Sequence, residues 1–141
     1  MDYTDLGSNT TLVFYAGLSQ LALAIASLAI PRVLGWSDEL ERNSEFLRAL
    51  FWTYAGYVFG TNLALATLST WKPEWLTDGS GLARAVCGFV ALYWGVRLAI
   101  QVFSFGKHAP PGRFFVVAEL VLSLLFLVWT ALYGAIASGA L

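Results

Sequence analysis

Four long apolar stretches, covering about 10–30, 46–69, 82–105 and 114–138, limit this chain more than any other feature. Each is long enough to carry a helix across a bilayer, which takes roughly 20 mostly apolar residues. Together they use most of the 141 residues and leave no room for a soluble domain of useful size. Composition agrees: 58% of residues are hydrophobic and 12% charged, against about 45–50% and about 25% in soluble domains. The connections are short, so consecutive helices are expected to be antiparallel neighbours. The predicted fold is therefore all-α: one transmembrane domain over 1–141, built as an integral membrane antiparallel four-helix bundle. Pro31 is expected to close the first span, since proline cannot continue a helix interior.

The first stretch mimics a secretion signal, with Ala22-Leu23-Ala24 at a plausible cleavage position. Its leader carries Asp2 and Asp5 and neither Lys nor Arg, whereas a signal peptide begins with positive charge. It is expected to stay as a helix. Counting Lys and Arg in the loops gives Arg32, Arg42, Arg48, Lys107 and Arg113 on one side, and Lys72 and Arg84 on the other. By the positive-inside rule both termini are expected on the non-cytoplasmic side. A net charge of −1 and no basic cluster offer nothing to nucleic acid.

The loops add local expectations. In 35–46, Ser37 and Ser44 are each placed to cap a helical turn, so a short surface helix before the second span is expected. In 69–81, Trp71 and Trp75 flank Pro73 as headgroup-level anchors, ahead of a turn at Asp78-Gly79. Asn9-Thr10-Thr11 fits a glycosylation sequon, a pattern too common to carry weight. The lone His108 in the 106–113 turn reads as solvated, and one histidine rules out bis-histidine haem ligation or a di-histidine zinc site within one chain. Cys87 reads as a small packing residue. The sequence leaves any cofactor unknown, and neither a G-x-S-x-G motif nor a phosphate-binding glycine loop is present.

Ionisable groups inside a membrane are costly and become the first functional candidates. Two lie well inside the spans, Arg97 and Glu119. Arg97 lies about 12 Å back from the end of the third span near Phe105, and Glu119 about 9 Å into the fourth, counted from Arg113. With the spans antiparallel and joined by the short turn 106–113, the two charges fall within about one helical turn in height, and Gln101 shares the face of Arg97. An Arg97–Glu119–Gln101 cluster is therefore expected, either as a register-fixing pair or as a binding site for a proton, an ion or a polar headgroup. Gln20, Ser27, Asn62, Ser123 and Thr130 extend it as a polar seam, read as interhelical hydrogen bonding or as a lined pathway. Gly56-x-x-x-Gly60, Ala91-x-x-x-Gly95 and Ala22-x-x-x-Ala26 mark close helix packing, within the bundle or between protomers.

In length and four-span layout the chain is similar to several groups, namely small multidrug transporters, DoxX-like proteins and four-span scaffolds of lipid or sterol synthesis. The first of these keep an acid in their first span, where Gln20 stands here. No residue motif ties it to a family. Three functions follow as expectations. The foremost is a non-enzymatic accessory, assembly or scaffold subunit, acting in the lipid bilayer through contacts with a membrane-protein partner or another copy of itself. The second is a small homo-oligomeric transporter or channel using the Glu119/Arg97 cluster. The third is a membrane enzyme acting on a lipid or quinone.

Overall fold

The computed structural model describes residues 3–108 and 110–141, with side chains described from Gly7 onward except at 106. Among these residues all regular structure is helical. Four long helices dominate: α1 (Tyr3–Ser27), α4 (Glu45–Trp71), α6 (Gly81–Phe103) and α7 (Arg113–Ser138). Three short ones lie between them: α2 (Ile30–Val33), α3 (Trp36–Glu41) and α5 (Glu74–Thr77). Three helical segments, Gly7–Ser27, Gly81–Phe103 and Arg113–Ser138, are long and apolar enough to cross a membrane. Helix α4 is as long, but Tyr, Trp, Thr and Asn dilute its apolar content. The fold class is thus all-helical with three such segments, one fewer than the four expected.

Helix ends follow elementary capping chemistry. Ser44 stands before α4 and accepts a hydrogen bond from the backbone N–H of Leu47 at 3.2 Å; Ser80 does the same for Ala83 at 3.1 Å before α6. Each satisfies one of the free donors of a first turn. The expected surface helix exists as α3, but Ser37 lies within it and does not cap. That position belongs to Gly35, whose φ of 61° is left-handed and suits glycine. Pro31 likewise does not close the first span. Helix α1 already stops at Ser27, and Pro31 sits in the first turn of α2, where its missing N–H costs nothing.

The chain forms two compact units. The first comprises Thr11–Pro73. Its α1 segment buries Val13, Ala16, Gln20 and Ala24, and its α4 segment buries Leu65, Ala66 and Ser69. These positions recur every three or four residues, the spacing of one helix face. Gly17 lets the two backbones meet. A Cβ there would stand 2.6 Å from Thr70 Oγ1 and 2.8 Å from both the Ser69 carbonyl carbon and the Thr70 nitrogen. Helix α3 is held to α4 by Trp36, edge-on to Phe51 at 5.0 Å and to Trp52 at 6.2 Å. Such edge-to-face pairs contribute about 0.5–1.5 kcal/mol beyond burial.

The second unit comprises the chain up to Thr10 together with Glu74–Leu141. Its frame is the antiparallel pair α6 and α7. Helix α6 buries Ala83, Cys87, Val90, Trp94 and Gln101, and α7 buries Phe126, Trp129, Tyr133 and Ile136. Trp94 is the hub: its ring stacks on Phe126 at 5.3 Å and lies 4.5 Å from Trp129, while Tyr93 meets it edge-on at 5.2 Å. Small residues bring the helices together. Gly95 faces Thr130, Gly134 faces the Ala91 methyl, and Gly88 faces Ala137. The expectation from Ala91-x-x-x-Gly95 is therefore met by packing inside the chain. At the end where α6 begins, Cys87 is fully buried and its thiol donates to the Leu76 carbonyl at 3.4 Å. Nearby, the Thr10 and Thr77 hydroxyls bond at 2.9 Å. Asn9 is 8% exposed and its amide donates to the Leu141 carbonyl at 2.9 Å. The sequon asparagine is thus an internal hydrogen-bond donor.

Candidate functional site

The polar groups predicted inside the spans divide between the two units. Gln20, on the buried stripe of α1, is 1% exposed, and Asn62 is half-buried on α4. Arg97, Gln101 and Glu119 belong to the α6–α7 pair. Arg97 and Glu119 are half-buried and Gln101 is 8% exposed. All three occupy inward stripes. Arg97 and Gln101 continue the series 83, 87, 90, 94, and Glu119 continues, toward the start of α7, the series 136, 133, 129, 126.

The structure does not bring Arg97 and Glu119 together as a pair. Among the described residues no ion pair within 4.0 Å joins them, and Gln101 makes no hydrogen bond to either. The reason is register. With Gly88 opposite Ala137, Ala91 opposite Gly134 and Gly95 opposite Thr130, the residue facing Arg97 falls near Val128. Glu119 precedes Val128 by nine residues, about 13 Å along the axis. By the same pairing Phe103 faces the region of Leu122, so the first two turns of α7 run on past the end of α6. Close contacts of small residues set this register, not opposite charges. The turn expected at 106–113 is an irregular connection between Phe103 and Arg113. It includes a 3-10 turn over Phe105–Lys107 and Gly112 at φ 144°.

Arg97 takes another course. Its guanidinium carbon stands 5.9 Å from the centroid of the Phe105 ring, at the outer limit of a cation–π contact. The side chain thus runs toward the end of α6, the direction in which a long cationic side chain escapes an apolar layer. His108, expected to be merely solvated, holds the same end: its Nδ1 lies 2.8 Å from the Ser104 carbonyl, a bond in which the ring N–H donates. Arg84, near the other end of α6, packs its guanidinium against Gly139 at the end of α7. A cation at a helix C-terminus is favourable against the helix dipole.

Two members of the polar seam, Thr130 and Ser27, bond within their own helices. Thr130 donates to the Phe126 carbonyl at 2.7 Å, and Ser27 to the Ala24 carbonyl at 2.6 Å. Thr53, Thr61 and Thr67 on α4 each donate four residues back in the same way. A hydroxyl satisfied by its own helix does not link helices. Ala22 and Ala26 are exposed, so that looser motif does not pack within the chain among the described residues.

The motif at Gly56 and Gly60 behaves unlike the others. A Cβ at either position would meet nothing within 4 Å. Thr53, Gly56, Tyr57, Gly60, Thr61 and Ala64 line a shallow open groove along α4. They lie on the side away from Ala66 and Ser69, so close packing within the chain, one expectation for this motif, does not occur. Near Asp78 the loop is better tied. Asp78 Oδ1 accepts from the Ser80 N–H at 2.8 Å. That bond and the Ser80 hydroxyl hold the carboxyl below its ordinary value of 3.8. Comparisons with protein-family models, curated proteins and solved structures found no match.

Proposed function

We propose that this chain is a multi-pass membrane subunit that crosses the bilayer four times and acts by contact with a partner's membrane helix. The observation that carries this reading is the open α4 groove at Gly56 and Gly60, where the backbone is bare to a neighbour and an added Cβ would meet nothing within 4 Å. In lipid, close backbone approach at small residues is a main source of helix association. The surface supports membrane residence. Only 11% of the most apolar stretch of α7 is buried, and Val116, Val117, Leu120, Val121, Leu124 and Leu127 are exposed along it. A contiguous apolar face of that length is unsustainable in water. Helix α4 exposes Phe46, Leu47, Leu50, Tyr54, Tyr57 and Val58 and, at 27 residues, reaches about 40 Å, which supports a fourth crossing. Four crossings return both termini to one side. The Lys and Arg bias makes that side the non-cytoplasmic one.

The test is Gly60→Cys, cross-linked in native membranes, together with Gly56→Leu/Gly60→Leu. A cross-linked partner chain, and loss of the complex in the leucine variant with the chain still folded, support the reading. No adduct and an unchanged complex size would overturn it. An adduct with a second copy would move the assignment to a homo-oligomer. Labelling at Ser44→Cys and Ser80→Cys from opposite sides of the membrane tests the threading.

A further inference from the structure

An arginine inside a membrane helix needs a counter-charge, and among the described residues none pairs with Arg97. Its inward stripe carries it into the α6–α7 interface, yet its guanidinium makes neither an ion pair nor a hydrogen bond among the described residues, and the ring it approaches is that of Phe105. Gln101, one turn closer to the helix end and 8% exposed, makes no hydrogen bond among the described residues. From Gly79 to Leu141 the sequence holds a single acid, Glu119, and register keeps it from closing on Arg97. At this end of the pair Arg97, Lys107 and Arg113 outnumber that acid three to one. Arg97 lies six residues before the last residue of α6, about 9 Å, and its guanidinium approaches the ring of Phe105, which follows that end. In a bilayer whose apolar layer ends near Phe103, a guanidinium so directed would stand within snorkelling reach of the headgroups. Phe103 and Phe105 are exposed at the same end of α6, as surfaces for acyl chains.

We infer that Arg97, with the Gln101 amide beside it and Lys107 adding charge, binds the phosphate of an anionic phospholipid. A guanidinium is suited to phosphate because its planar fork donates two parallel hydrogen bonds, and basic sites at helix ends on this side of a membrane take such headgroups. This inference rests on the membrane reading above but not on the α4 groove.

The experiment places the full chain in nanodiscs of equal phosphatidylglycerol and phosphatidylcholine, transfers it to mild detergent, and counts retained lipid by native mass spectrometry. The wild type is expected to retain phosphatidylglycerol selectively. Arg97→Gln should lower that retention about tenfold, the scale of one charge-assisted hydrogen bond, and Arg97→Lys should fall between the two. Arg84→Gln, at the other end of α6, should retain lipid as the wild type does. Absence of phosphatidylglycerol preference in the wild type overturns the inference without need of any variant. So does an equal loss in Arg84→Gln. Displacement by excess inorganic phosphate would assign the guanidinium to a free anion and overturn the lipid assignment. If Arg97→Gln fails to fold, Lys107→Gln and Gln101→Leu carry the test, each expected to lower selectivity severalfold. Carbonate extraction of the wild type separates the two readings: a chain that washes off refutes membrane insertion, and one that stays but retains no lipid refutes this site alone.

Discussion

Gly17 offers the sharpest test of how α1 and α4 meet, because its replacement should fail for a reason that helix propensity opposes. Alanine is favoured over glycine in a helix interior by about 1 kcal/mol. At Gly17, however, the new methyl would stand 2.8 Å from two backbone atoms of α4, where ordinary contact begins near 3.4 Å. Backbone inside a helix cannot swing aside as a side-chain tip can, so the helices must part by about 0.6 Å. A gap of 0.5–1 Å forfeits about a quarter to a half of each dispersion contact across it, along a stripe that includes Val13, Ala16, Gln20 and Ala24. Overpacking of this kind costs about 1–3 kcal/mol. Contacts under 3.0 Å to backbone put Gly17→Ala at the upper end of that range, about 2–3 kcal/mol. After the propensity gain it should destabilise by about 1–2 kcal/mol, or a loss of about 2–8 °C in Tm. Gly56→Ala is the matched control in α4: nothing lies within 4 Å, so propensity acts alone and Tm should hold or rise. Tryptophan fluorescence during thermal unfolding in mild detergent reads both, with Trp36 and Trp52 reporting on the α1–α4 unit. A Gly17→Ala protein as stable as the wild type, or two variants shifting in the same direction, would refute the close approach.

Gly139→Ala should destabilise the end of α7 by about 1 kcal/mol, since φ of 78° favours glycine and the Arg84 guanidinium occupies the space a methyl needs. Adding Arg84→Ala should relieve the clash but not the backbone strain, so a double-mutant comparison of Tm should show partial rescue. At Asp78, the Ser80 hydrogen bonds lower the folded-state pKa below 3.8. The associated stabilisation is therefore present above that ordinary value and disappears as pH falls through the depressed one. Ser80→Ala should raise the Asp78 midpoint in a carboxyl NMR titration and, by removing the α6 cap, cost about 1 kcal/mol; an unmoved midpoint would refute the assignment.

The sequence is most informative where periodicity and capping act locally. All four long helices lie where apolar runs place them, and Ser44 caps because a hydroxyl immediately before a helical run can accept from its third residue. Local rules mislead where two equally good local solutions compete. Pro31 is compatible with ending a helix and with opening one, and the chain uses the second. Ser37 and Gly35 both suit a helix start, and the left-handed backbone at residue 35 decides for glycine. The two glycine motifs show the same limit at longer range. Gly95 and Gly56 are indistinguishable by spacing, yet one is packed under Thr130 and the other lies open, because sequence spacing marks a face without saying what covers it.

Arg97 and Glu119 show how much depends on register. The faces were readable: both residues fall on the inward stripes of α6 and α7, as helical spacing requires. The heights were not, because matching charges across a turn assumes that the two helices end level. Helices joined by an irregular connection are free to slide, and what stops them is the best packing along the shared seam. Here that seam is Gly88, Ala91 and Gly95 against Ala137, Gly134 and Thr130, with Trp94 wedged between Phe126 and Trp129. Sliding α7 by the nine residues that would level Glu119 with Arg97 would pull every one of those contacts apart. A buried ion pair adds little net stability after desolvation, whereas burying one large side chain contributes about 1.5–3 kcal/mol. Packing therefore wins the register, and the charges are left to find other partners at the membrane edge.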